Sequence, residues 1–153
     1  MPSVSVKVRF LSRDYRLGSQ SVIGGRQTKK IVLELFERRL AIYEGIRDII
    51  GEVARSGTAS DDVFQRFFVA VDRAPYFFGE EVQSYLETIR IDMIDLGLAH
   101  TSMKNMLDPK RPEWIQRRHN KFLSVTQFYK IAPALFEPYL RAHQKVVTPD
   151  RGA

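Results

Sequence analysis

The stretch TKKIVLELFERRLAIYEGIRDIIGEVAR, Thr28 to Arg55, decides the fold. Val32, Leu35, Ile42, Ile46, Ile49 and Val53 recur at three- and four-residue steps, with Arg39 filling the one gap. That period is helical, and it is sustained for about seven turns. Phe36, Tyr43 and Ile50 widen the apolar stripe, while Glu34, Glu37, Arg38, Glu44, Arg47, Asp48 and Glu52 occupy the rest of the surface. A stripe this broad is too wide for the narrow seam of a two-stranded coiled coil, so the helix is expected to be the spine of a bundle. Arg55-Ser56-Gly57 closes it, a cation in the last turn followed by a residue that tolerates left-handed geometry.

Downstream, Ser60 is a good N-cap for a second helix, with Asp61 and Asp62 at its positive end and Pro75 stopping it near Arg73. Glu80 and Glu81 open a third, with a seam of Val82, Leu86, Ile89, Met93 and Leu96; it is expected to fray beyond Gly97 and end near Met106. Asp108-Pro109-Lys110-Arg111-Pro112 is a clear break. A fourth helix is expected from about Pro112, with Trp114, Ile115, Phe122, Val125 and Tyr129 on its buried face and Pro133 interrupting it before a short last turn from Ala134 to Leu140. Four amphipathic segments with short connections give an all-α fold, an antiparallel bundle of about four helices.

Upstream, Val4, Val6, Val8 and Phe10 alternate with Ser5, Lys7 and Arg9, a strand-like period without a second strand to pair with. Gly18, Ser19, Ser21, Gly24 and Gly25 read as a linker. The expected organisation is a basic arm, flexible or a single strand, over 1–27, a helical bundle over 28–146, and a tail over 147–153. The net charge is +6, and residues 1–30 account for all of it, since Lys7, Arg9, Arg13, Arg16, Arg26, Lys29 and Lys30 face only Asp14 there. Such asymmetry points to an arm that meets an anionic surface, nucleic acid or lipid headgroups. Lys110, Arg111, Arg117, Arg118 and Lys121 form a second basic cluster, with Trp114 and Phe122 between them. Cations interleaved with aromatics can follow a nucleic-acid backbone and stack on bases. The plainer alternative is the wet face of an ordinary helix with the two rings in the core.

The remaining chemistry is sparse. There is no cysteine, which removes disulfides, thiolate metal sites and thiol nucleophiles and fits a reducing compartment. No run reaches the roughly 18 apolar residues of a spanning helix, and no apolar leader opens the chain, so a soluble, cytoplasmic protein is expected. His100, His119 and His143 have no ligand-type partner three or four residues away. Asp92 and Asp95 share a helix face, and that face is expected to be solvated. Gly24-Gly25 before Lys29-Lys30 lacks the spacing of a phosphate-binding loop. Phe64, Phe67, Phe68, Tyr76, Phe77 and Phe78 are concentrated enough to line a pocket, but aromatic core is the expected role. No catalytic, metal or cofactor site is assigned.

Two segments carry a resemblance. Glu37-Arg38-Arg39-Leu40-Ala41-Ile42-Tyr43-Glu44, continuing to Arg55-Ser56-Gly57, resembles the first helix of a group of small uncharacterised bacterial proteins. Arg73-Ala74-Pro75-Tyr76-Phe77-Phe78-Gly79-Glu80-Glu81-Val82 resembles the corner that follows in that group. The likeness covers roughly Gln27 to Met106 and implies fold and place, a helical region on the cytosolic side of a single membrane span, without implying an activity. Here a basic Gly/Ser-rich arm stands where the span would be. The functional expectation is a non-enzymatic helical module for self-association or a protein partner, at the cytosolic membrane face when membrane-associated. Nucleic-acid binding through the arm and the Lys110–Lys121 cluster is the alternative.

Overall fold

The computed structural model of the chain describes residues 22–141. The strand-like segment at 4–10, the first part of the arm and the tail lie outside the described residues. Those described form an all-helical bundle: α1 (Val22–Ser56), α2 (Asp61–Asp72), a 3-10 turn (Ala74–Tyr76), α3 (Glu80–Ser102), α4 (Arg111–Thr126) and α5 (Phe128–Leu140).

At 35 residues, α1 is about 52 Å long. It begins before Thr28, so Gly24 and Gly25 lie inside a helix rather than in a linker. Each glycine costs a helix only about 1 kcal/mol against alanine, less than a strongly periodic neighbour recovers by propagating. Gly57 ends α1 with φ +74°, its N–H donating to the Val53 carbonyl at 2.8 Å. The chain then turns back into α2, where the Ser60 hydroxyl accepts from the Val63 N–H at 3.3 Å. α2 returns antiparallel to α1, and the Arg66 guanidinium forks onto the Glu52 carboxylate. Gly97 lets α3 pass close to this corner, because a Cβ there would stand 2.9 Å from the Ala59 carbonyl oxygen.

α3 is regular through Gly97 and stops at Ser102, earlier than the sequence pattern implies. α4 runs antiparallel beside it. The expected fourth helix is in fact two: the break falls at Gln127, and α5 runs straight through Pro133 and Pro138. Both prolines are exposed, as are Tyr129 and Ala134, whose carbonyls lose their partners, so water can replace the missing bonds. The change of direction at Gln127 brings Phe128, Ala132 and Phe136 into the core.

The core is built from Ile46, Ile50 and Val53 of α1, Phe67 of α2, Val82, Ile89, Met93 and Leu96 of α3, Val125 of α4, and Phe128 and Phe136 of α5. Its aromatic end joins Tyr43, Phe78 and Phe136, with ring centroids 5.0 Å apart in both pairs to Phe136. The run of six rings in α2 and the following corner is divided: Phe67 and Phe78 are buried, whereas Phe68 and Tyr76 face outward. The buried face expected for the fourth helix also contracts. Val125 is buried, Trp114 and Phe122 are half-buried, and Ile115 is exposed, because α4 is covered mainly on the side that meets α3; Tyr129, also exposed, falls on α5.

Candidate interaction surfaces

Most of the Lys110–Lys121 cluster turns inward. Lys121 Nζ donates to Asp92 Oδ1 at 2.6 Å and stands 3.5 Å from Asp95 Oδ2, while Arg117 donates to Asp95 Oδ1 at 3.1 Å and lies over the Trp114 ring. Ser124 donates to the second oxygen of Asp92. The carboxylates expected on a wet face are therefore the glue between α3 and α4, with Asp92 only 6% exposed. The hydrogen bond to Asp92 raises the Lys121 pKa, and burial, followed by the Asp92 charge, pushes the Tyr85 phenol up to about 12. Tyr85, Asp92 and Ala99 are spaced by seven on α3, one row of the helix, and Asp92 in it meets α4 while Tyr85 stacks on Phe128 of α5. That row was the available signal.

Arg118, the next residue, donates instead to the Gly57 carbonyl at 2.8 Å, locking α4 to the end of α1. Arg111 donates through Nε to the Met103 carbonyl at 2.9 Å. Lys110 alone of this cluster is left exposed with no side-chain partner. Of the N-terminal cations, Arg26, Lys29 and Lys30 are exposed on α1; Lys7, Arg9, Arg13 and Arg16 lie outside the described residues. The first turn of α1 carries no acidic residue, so no side-chain charge there offsets the positive end of the helix dipole.

The histidines do not converge. His119 is exposed, His143 lies outside the described residues, and His100 is half-buried with Nδ1 enclosed and unpartnered. Burial, then the nearby Lys104 and Arg118 charges, lowers the His100 pKa. It lines an open groove of about 720 Å³ between the start of α2 and the second half of α3, with Phe64, Ile94, Leu98 and Lys104. Among the described residues no cluster of three metal-ligating side chains occurs. None of their helices is long and apolar enough to cross a membrane.

The first half of α1 stands apart from the buried cluster of the described residues. The apolar row of the core continues upward through Leu35 and Val32, yet no α1 residue before Ile42 joins the buried cluster. Ile31 is 63% exposed, Leu33 is exposed, and Val32, Leu35 and Leu40 are half-buried. Arg39 marks the boundary. Its Nε donates to the Phe77 carbonyl at 2.9 Å, and its guanidinium lies 5.3 Å from the Tyr139 ring centre. Neither a known family, nor a characterised protein, nor a solved structure matches this chain.

Proposed function

We propose that this protein is a non-enzymatic helical interaction module that self-associates through the first half of α1. The observation that carries this reading is the apolar row that leaves the core at Ile42 and continues, in the same heptad register, through Leu35 and Val32, with the exposed Ile31 on its flank. A surface helix has no use for such a row unless something covers it. A second copy of the same helix is apolar in the matching positions.

Arg39 favours one orientation. In a parallel pairing it would meet its own copy across the seam, a like-charge contact in a low-dielectric setting. An antiparallel pairing centred between Val32 and Leu35 avoids that contact and places Val32 of each copy opposite Leu35 of the other. The basic N-terminal residues then remain outside the seam, available to an anionic surface.

Light scattering on purified protein at tens of micromolar is expected to give a defined oligomer that Ile31→Asp combined with Leu35→Asp converts to monomer, with helical content unchanged. A strict monomer at every concentration sinks the reading.

A further inference from the structure

At the opposite end of the bundle from the start of α1, the connection between α3 and α4 forms a fixed apex. Met103 N–H donates to Ala99, Lys104 N–H to Thr101, Asn105 N–H to Ser102 and Asp108 N–H to Asn105. The Asn105 side-chain oxygen accepts from Leu107 N–H at 3.1 Å. Asp108 uses both carboxylate oxygens internally, one on Lys110 N–H at 2.8 Å and one on the Trp114 indole at 3.1 Å. Arg111 ties the end of the connection to the Met103 carbonyl. A backbone so fully bonded holds its side chains in set directions.

What it holds outward is apolar. Leu107 is 92% exposed and Met106 is 73% exposed, the first and second most exposed large apolar side chains among those described, apart from Tyr76. Lys104 and Lys110 flank them, both exposed and neither in an ion pair. The nearby acids are Asp108, already engaged inward, and the exposed Glu113 at the start of α4.

We propose that this apex contacts an anionic lipid surface, Met106 and Leu107 entering the interfacial layer while Lys104 and Lys110 meet the headgroup phosphates. Met106 and Leu107 stand outside the groove that Lys104 borders, so they meet a partner as projecting tips, and the interfacial layer of a bilayer can admit such tips. Apolar tips flanked by lysines are suited to that layer, because lysine can bury its stem and keep its ammonium among the phosphates. Free phosphate would satisfy the lysines but give no place for Leu107. The surface is independent of α1, so either reading can fail alone.

Trp114 is the only tryptophan in the chain, and it sits at the base of the apex. It therefore reports contact at this end and not at the arm. The full chain is mixed with phosphatidylcholine vesicles containing about one-third phosphatidylserine, and with phosphatidylcholine alone, at low salt. Sedimentation with the anionic vesicles only is expected, together with quenching of Trp114 by acyl-chain-brominated lipid. Met106→Asp with Leu107→Asp, both exposed and so without cost to the fold, is expected to weaken binding about tenfold or more. Lys104→Glu with Lys110→Glu is expected to erase the preference for anionic vesicles. Absence of binding at low salt overturns the proposal. So does binding with unquenched Trp114 and an unaffected Met106/Leu107 variant, which assigns the contact to the arm. A variant that dissociates an oligomer without any vesicle binding in the parent makes the apex a protein contact, and also overturns it.

Discussion

The two halves of α1 carry the same apolar period in different environments. From Ile42 to Val53 the apolar row lies where α1 meets α2, α4 and α5, and Ile46, Ile50 and Val53 are fully enclosed. From Thr28 to Arg38 the same row, at the same spacing, lies outside the buried cluster, with Val32 and Leu35 half-buried and Ile31 on the flank more exposed than hidden. Periodicity therefore reports that a face is to be covered, and does not report by what. The core half is covered by the rest of this chain. The outer half has no such cover among the described helices, and it is the half that the self-association reading uses.

The largest way to break this comparison is by core truncation. Ile50→Ala is expected to destabilise the fold by about 3 kcal/mol in urea unfolding, with Val32→Ala below about 1 kcal/mol at low protein concentration. Equal losses would mean that the outer half is packed within the monomer after all. Next comes the α3–α4 seam. Asp92→Ala strips the partner from Lys121 and Ser124 and is expected to cost about 2 kcal/mol, less than for a fully enclosed pair because Lys121 retains access to water. Were it neutral, Asp92 would be the solvated side chain that the sequence pattern alone implies.

Glycine substitutions sharpen the contrast through their sign. Gly57→Ala is expected to destabilise by about 1–2 kcal/mol, since φ +74° is strained for any side chain and the new Cβ meets Arg118. Gly25→Ala, in open space on the outer half, is expected to stabilise by up to about 1 kcal/mol. Loss at both positions would place the start of α1 outside a helix.

The smallest effect is a dependence on acidity. Burial holds the His100 pKa below its unfolded value of 6.5, so the unfolded chain takes up the proton more readily. The stability contributed by neutral His100 is complete above pH 6.5 and is lost as pH falls from there toward the folded pKa. Hydrogen bonds hold Glu52, Glu81 and Glu87 below their ordinary 4.5, and their contribution is lost only at lower pH, as it falls through that value toward their folded pKa. His100→Gln is expected to flatten the upper window in thermal melts and leave the lower one unchanged.

Local signals transferred well to the structure. Ser60, Gly57 and the Glu80-Glu81 start each mark a helix end that is found where the residues place it, because capping satisfies backbone groups within a few positions. Pro133 misled, since the cost of a proline depends on whether water reaches the carbonyl it orphans. Asp92 misled for the same kind of reason: its charge predicts water, while its partners Lys121 and Ser124 lie about thirty residues away. The basic cluster of α4 was visible as a count of cations and not as an arrangement. Arg117 and Lys121 turn to carboxylates on α3, and Arg118 to a backbone oxygen.

The sequence by itself determined an all-helical chain, the course of its helices to within a few residues, and an excess of positive charge at the N-terminal end, because period, capping and composition are local quantities. Only the tertiary structure decided which half of α1 is core, which cations are neutralised, and that Met106 and Leu107 are held outward. Those depend on which faces meet, and a face learns its neighbour only when the chain has closed on itself.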